Sequence, residues 1–318
     1  MCTLHFCHFL NKQEIYQTSA KGRLSIKIAQ EEKNCTKRGR DKSFFHIFAL
    51  MSQIEHIKQL AEQLPPITLD EMKSIRLMNR MDTKFVTNTE TLIELLKLAK
   101  GLYYSQCIDG SRISSYRTQY WDDLGQHKMF HTHLCGHLPR TKVRVRTYVG
   151  SDQSFLEIKK KNNHGKTKKK RITVPSLEAV INDHYGEEFL QELTDFSFDQ
   201  IQPTLGNEFK RITLVNYNKT ERLTIDFDIH FHNKETGRSA ENDHVVIIEL
   251  KRDGRIPSPI LPLLRQLRVK PSGFSKYCIG TVVTNSEIKQ NRFKKRLAKV
   301  MKLIEKPLPS SFLENQQQ

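Results

Sequence analysis

The chain is 318 residues long, with 52 Lys and Arg against 35 Asp and Glu, a formal net charge of +17 and 37% hydrophobic residues. That length supports a sizeable core, and the charge calls for a polyanionic partner: nucleic acid, an anionic membrane surface or a phosphate-rich small molecule. No run approaches the roughly 20 apolar residues of a membrane span, which excludes a helical membrane protein; the stretch 44–51 (FFHIFALM) is too short and no signal-peptide cleavage pattern follows it.

Six cysteines (Cys2, Cys7, Cys35, Cys107, Cys135, Cys278) form no framework of regular spacing, so reduced thiols in a cytoplasmic protein are expected rather than a disulfide scaffold. Cys2 and Cys7 have His5 and His8 beside them, but no second half of a zinc site follows at usable spacing. Residues 1–50 mix Cys, His, Lys and Asn without a sustained period, and read as an extension upstream of a start at Met51. From there Ser52 and Glu55 have capping-box spacing, and Ile54, Ile57, Leu60 and Leu64 fall on one helical face.

Pro65 and Pro66 end that helix, and a second is expected from Thr68 or Leu69, with Asp70 and Glu71 at its start. An extended segment at 80–86 (RMDTKFV) precedes a helix capped at Asn88 or Thr89 and closed at Gly101. The period then changes to two, predicting strands at 114–121, 142–148, 155–161, 169–174, 209–215, 223–230 and 244–251. A helical insert capped at Ser176 is expected over 176–193, another helix over 260–267, and a last strand over 277–284. A basic amphipathic helix over 289–304 and a polar tail over 306–318 complete the chain. Seven or eight strands with few intervening helices suit an α+β fold, a closed antiparallel barrel with flanking helices, within one domain at 51–305 whose core lies at about 75–285.

The charges on these strands are not mixed as on an ordinary wet face. Lys142, Arg144 and Arg146 share one face of their strand and the valines the other; Glu157, Lys159 and Lys161 share a face, as do Lys169 and Arg171. Arg222, Thr224, Asp226 and Asp228 align in the same way, and Glu249 and Lys251 follow a four-residue apolar run. The bland alternative has each strand half-buried with its charges in water. Recurrence of the charged face from strand to strand argues for an ionic lumen instead, because like charge gathered on one surface repels itself unless an anion neutralises it. Arg offers phosphate a rigid bidentate fork, and Lys a mobile point charge. Glu249 is the candidate ligand for a divalent ion, which prefers hard carboxylate oxygen, or else the partner of Lys251.

The segments Arg80-Met81-Asp82-Thr83-Lys84-Phe85, Tyr116 with Tyr120-Trp121-Asp122, Arg140 through Arg146 with Tyr148, Phe155 through Lys161, Arg222 through Asp226, Glu249-Leu250-Lys251 and Phe274-Ser275-Lys276-Tyr277 together resemble the VTC domain. That is the catalytic domain of the vacuolar transporter chaperone polyphosphate polymerases, within the CYTH-like triphosphate tunnel metalloenzyme superfamily. The resemblance implies an eight-stranded antiparallel tunnel that transfers the γ-phosphate of ATP to inorganic polyphosphate with Mn²⁺ or Mg²⁺. It implies Lys84, Arg144, Arg146, Lys159, Lys169, Arg211, Arg222 and Lys276 along the phosphate path and Glu249 at the metal, with Arg80, Lys142, Lys161, Arg171 and Lys251 as further phosphate contacts. Hydrolases of the superfamily carry Glu-x-Glu-x-Lys on the first strand; here Arg80-x-Asp82-x-Lys84 lacks the first Glu, which favours the polymerase branch. Gly273 and Phe209-Lys210-Arg211 are further departures, and membrane coupling would require a separate membrane partner.

A tripolyphosphatase or nucleoside triphosphatase on the same tunnel is the competing enzyme, and a non-catalytic polyphosphate sensor the competing binder. A nucleic-acid-binding protein predicts aromatics among the basic residues for base stacking. The basic strands carry Val, Ile and Leu there instead, so no nucleic-acid partner is expected.

Overall fold

The alternating strands pair into one curled sheet whose two faces are chemically opposite. The computed structural model describes residues 42–73, 75, 80–254 and 256–305. By its contacts the chain divides into Met1–Ser52 and Gln53–Gln318, and all the described strands belong to the second unit. In order, the elements are α1 (Lys42–Glu62), β1 (Pro66–Ile67), α2 (Leu69–Lys73), β2 (Arg80–Asn88), α3 (Thr89–Ala99), β3 (Tyr103–Gln106), β4 (Ser114–Asp123), α4 (Lys128–Cys135), β5 (Arg140–Tyr148), β6 (Gln153–Lys161) and β7 (Thr167–Val174). There follow α5 (Leu177–Asn182), α6 (Glu187–Leu193), β8 (Ile201–Asn216), β9 (Glu221–Asn233), β10 (Ser239–Asn242), β11 (Val245–Asp253), α7 (Ile260–Gln266), α8 (Lys276–Thr284) and α9 (Lys294–Glu305).

Eight strands pair antiparallel in the order β2-β11-β9-β8-β4-β5-β6-β7, while β10 extends β9, and β3 joins β8 to the short β1. These are the eight extended segments expected between residues 80 and 251. The expected closure is not made by the backbone: among the described residues no ladder joins β7 to β2. The β2 edge is met instead by the segment at Pro271 and Ser272: Phe85 bridges to Pro271, and the Ser272 N–H donates to the Lys84 carbonyl at 2.8 Å.

The valine and isoleucine faces point outward and are covered. Val143, Val145, Leu156 and Ile158 pack with Val180 of α5 and Leu190 of α6. Phe85, Leu223, Ile225, Ile248 and Leu250 pack with Leu92, Leu95 and Leu96 of α3, Leu264 of α7 and Ile57, Leu60 and Leu64 of the α1 segment. The concave face is divided: at one end Val86, Leu205, Phe209, Phe231 and Ile247 meet α8, α4 and α9, and the rest is ionic. Local signals account for several elements. Asn88 Oδ1 accepts the Thr91 N–H at 3.0 Å to start α3, and Ser176 Oγ accepts the Ala179 N–H at 3.1 Å to start α5.

Other expectations also need correcting. The first helix starts at Lys42 and passes through Met51, so Ser52 lies inside it and caps nothing. The reading of residues 1–41, including the Cys2/Cys7 cluster, lies outside the described residues. The expected strand at 277–284 is the helix α8. Its β-branched run reads as strand, but it is buried almost all round, so no amphipathic period shows. Ser275 Oγ caps it at the Cys278 N–H, and Thr281 and Thr284 return their hydroxyls to the Tyr277 and Gly280 carbonyls at 2.8 and 2.7 Å. Helix α4 carries no sequence signal at its start, for its N-cap His127 makes no side-chain cap.

Gly280 lets α8 reach the sheet: a Cβ there would sit 2.5 Å from Phe231 and 2.7 Å from Leu205. Gly280→Val is therefore expected to lower unfolding free energy by about 1–3 kcal/mol in a urea titration; an unchanged midpoint would show that this contact is not tight.

Candidate functional site

The inward positions follow from the strand registers. Arg144 faces Glu157 across β5–β6, and Glu157 faces Arg171 across β6–β7; Lys142 faces Lys159, which faces Lys169. On the other wing Lys84 faces Glu249, Glu249 faces Thr224, and Lys251 faces both Asp82 and Arg222. Arg211 faces Asp226 across β8–β9. Period two thus places Lys84, Lys142, Arg144, Arg146, Lys159, Lys161, Lys169, Arg171, Arg211, Arg222, Glu249 and Lys251 on one face. Lys276, at the start of α8, enters the same face. Of Arg80 only the backbone is described, pairing with Asp253.

Asp82 shares the β2 face of Lys84 and is exposed; the three more enclosed carboxylates, Glu157, Asp226 and Glu249, organise the cations, and each is held differently. Glu157, 1% exposed, accepts Arg144 Nε at 2.7 Å and Nη2 at 2.6 Å on one oxygen, and Lys169 Nζ on the other. Asp226 accepts the Arg211 fork at 2.5 and 2.8 Å and also Lys276 Nζ. Glu249 meets only ammonium groups, Lys84 at 2.8 Å and Lys251 at 3.2 Å, and its side chain remains 22% exposed. Burial alone would raise all three acids. Arg144, Arg146 and Lys169 outweigh it at Glu157, and Lys251 and Lys84 outweigh it at Glu249, holding each at about 2. Arg211 and Lys276 hold Asp226 far below the usual carboxylate range.

The cations outnumber these acids. Arg146 is 8% exposed and, among the described residues, has no carboxylate in ion-pair contact; its Nε donates to Thr118 Oγ1 at 3.3 Å. Burial, then Arg144 and Arg211, push its guanidinium down to about 10. Burial likewise lowers Lys142 and Lys159, which stand near one another and near Arg144. Lys142 Nζ donates to Ser275 Oγ at 3.0 Å and no carboxylate pairs with it among the described residues. Burial and Arg211 bring Lys276 down to about 7 against the pull of Asp226. Such a surface is assembled for an anion: each bare cation is desolvated, and only a second negative charge offsets that cost.

The sequence names several further contributors without giving them a role. Tyr116 and Phe209 lie under Arg146, Arg211 and Lys276, with Lys276 Nζ 4.0 Å from the Phe209 centroid. Alternation puts Phe209 and Arg211 on one face but does not show which cation lies over which ring, and burial leaves the rings no free face for stacking a base. Asp122 accepts the Met129 and Phe130 N–H groups at 2.8 and 2.9 Å and the Tyr277 hydroxyl, tying α4 and α8 to the sheet. A cavity of about 590 Å³ extends from Lys84, Lys142 and Lys159 past Arg140, Lys161 and Ser275 to Arg292 and Arg296. Among the described residues no carboxylate lines it.

On the concave face Glu249 is the residue suited to a divalent ion. It is less enclosed than Glu157 and Asp226, and its partners are mobile ammonium groups rather than an Arg fork. A hard cation that keeps waters and takes phosphate oxygens needs only one or two carboxylates from protein. The one three-residue His/Asp group among the described residues, Asp228, His230 and Asp243, lies apart from this face. There His230 Nε2 bridges the two acids at 2.8 and 3.3 Å and Lys210 pairs with Asp228.

A curled antiparallel sheet with helices outside and a cation-rich, carboxylate-punctuated hollow inside is a tunnel-type architecture suited to a polyanion. The VTC domain family model matches residues 79–285, and the chain belongs to that family, which ties it to triphosphate- or polyphosphate-related chemistry. Similar solved structures include HpAC1 of Hippeastrum, for which a dominant triphosphatase activity is described, at 13% identity, 64% of this chain, 97% of that chain and TM-score 0.41. Another is a Vibrio parahaemolyticus protein named for adenylate cyclase, at 10% identity, 64% of this chain, 99% of that chain and TM-score 0.36. No curated protein matches the chain significantly. Among the described residues no helix is long and apolar enough to cross a membrane.

The ion pairs make a pH prediction. Glu157 and Glu249 sit near 2, below their ordinary 4.5, so the stability they contribute is full above about 4.5 and is lost as the pH falls through about 2. Glu157→Gln should lower the urea midpoint at neutral pH, and its difference from wild type should shrink as acid is added. A difference that stays constant down to pH of about 2 would contradict the assignment.

Proposed function

We propose that the chain is a metal-dependent polyphosphate polymerase, which transfers the γ-phosphate of ATP to a growing polyphosphate chain held in the hollow of the sheet. The observation that carries this reading is Arg146, a buried guanidinium with no carboxylate in contact among the described residues and with Arg144 and Arg211 beside it. A chain of phosphates supplies negative charge at regular intervals, as a row of such cations requires. Arg144, Arg146 and Arg211 contact phosphate oxygens through their forks; Lys84, Lys159, Lys169, Arg222 and Lys276 neutralise the rest. Arg80, Lys142, Lys161, Arg171 and Lys251 extend the path. In this reading the chain completes the tunnel that the backbone leaves open between β7 and β2, since it draws the cations of both edges together.

Phosphoryl transfer needs little covalent help from protein; alignment of donor and acceptor and stabilisation of the equatorial charge do most of it. Glu249 holds Mn²⁺ or Mg²⁺, which when bound supplies charge neutralisation on the transferring phosphate. Glu157 and Asp226 keep their Arg and Lys partners in place, so the forks meet the chain already oriented. The polymerase branch is favoured over the hydrolase branch because Arg80 stands where the hydrolases carry their first acidic ligand.

Incubation with ATP and Mn²⁺ or Mg²⁺ tests the reading. Long polyphosphate on a gel is the expected product, and orthophosphate alone would make the chain a triphosphatase. Glu249→Ala should reduce turnover by at least about 100-fold while polyphosphate binding is retained. Binding without turnover in the wild type would leave only a polyphosphate sensor.

A further inference from the structure

The hollow does not end at the sheet. Its cavity of about 590 Å³ reaches Arg292 and Arg296, so seven cationic side chains line it: Lys84, Arg140, Lys142, Lys159, Lys161, Arg292 and Arg296. Two of the seven belong to the segment at and after the turn Asn291–Phe293, outside the strands. That segment is basic well beyond the cavity. From Ile288 to Ile304 it contains no acidic residue, and Lys294, Lys295, Arg296, Lys299 and Lys302 are all exposed.

Helical geometry sorts these charges. Phe293 and Val300 are buried and Leu297 is half-buried, which fixes the face of α9 that packs on the fold. With 3.6 residues per turn, Arg296 and Lys299 share one flank of that buried face, about a turn beyond Arg292. Arg292 is anchored, its Nη1 donating to the Cys135 carbonyl at the end of α4, and Arg296 lies 5.8 Å from the Phe293 ring centroid. The flank is thus a row of cations that starts inside the cavity and continues along the outside of the helix. None of Arg292, Arg296 or Lys299 has an acidic partner among the ion pairs of the described residues, so the row is open to an external anion.

We infer that α9 is a guide rail for the part of a linear polyphosphate chain that projects beyond the sheet, with Arg296 and Lys299 as its contacts. The inference rests on the proposed function and deepens it: it makes the chain-length preference of the protein a property of this helix. A triphosphate fits within the hollow and does not extend to Lys299, whereas a long chain continues past Arg296 onto it. Each additional phosphate–cation contact releases condensed counterions, so the rail's share of affinity is salt-dependent. A flat anionic membrane would meet Lys295, Lys299 and Lys302 but not Arg292 and Arg296 where they line the cavity, and it is this continuity from cavity to helix that makes the chain the favoured occupant.

The test compares wild type with the Lys299→Ala variant, Lys299 lying outside both the sheet and the cavity lining. Affinities for tripolyphosphate and for long-chain polyphosphate are measured by calorimetry at several salt concentrations. The expected result is unchanged tripolyphosphate affinity and long-chain binding weakened by about threefold or more, with the long-chain log K against log salt slope reduced by about one. The charge-preserving Lys299→Arg variant should bind as wild type does. Equal affinity of variant and wild type for the long chain, or equal losses for both ligands, would overturn the rail while leaving the proposed function standing. Tripolyphosphate failing to bind even the wild type would overturn both. Tighter binding to phosphatidylserine vesicles than to polyphosphate, lost in the Lys299→Ala variant, would make the flank a lipid surface and also overturn the rail.

Discussion

Everything in this fold is arranged around one electrostatic constraint: more cations are drawn onto the concave face than its carboxylates can neutralise. Sheets ordinarily place their apolar face inward and their charge in water. Here the outward face is apolar and needs helices to cover it, so α3 and α7 lie over one wing and α5 and α6 over the other. The inversion explains why short capped helices interrupt an otherwise continuous run of strands.

Within the hollow Glu157, Asp226 and Glu249 divide the work. Glu157 and Asp226 are each locked by an arginine fork and a lysine, and their protonation behaviour reflects partners rather than burial. Removing either would strand buried positive charge, so they serve position first. Glu249 is different in kind. Its two lysines are flexible point charges, which can turn towards phosphate and leave the carboxylate for a cation. The aromatic rings beneath Arg146 and Arg211 restrict the guanidinium planes without competing for their N–H groups.

Much of this is legible in the chain itself. Strict alternation, as in Lys142-Val143-Arg144-Val145-Arg146, fixes both the strand and the face of each side chain, because a one-residue slip would bury the charges under α5 and α6. What alternation does not carry is the partner across the ladder. That Glu157 serves Arg144 and Lys169 together depends on the β5–β6–β7 register, and that Asp226 gathers Arg211 and Lys276 depends on a helix that reads as a strand. Tyr277 through Thr284 mislead for a physical reason: an almost fully buried helix has no polar face, and β-branched residues mask the rest. The part played by Tyr116 and Phe209 is hidden because which cation lies over each ring depends on the strand registers and on the placement of α8.

The most direct measurement is a crystal structure of the protein with tripolyphosphate. The chain is expected in the hollow, with phosphate oxygens within hydrogen-bond distance of Arg144, Arg146 and Arg211 and its end towards Lys84 and Glu249. Tripolyphosphate bound only on the outer surface, with Arg146 still bare, would contradict the role of the concave face as a phosphate site.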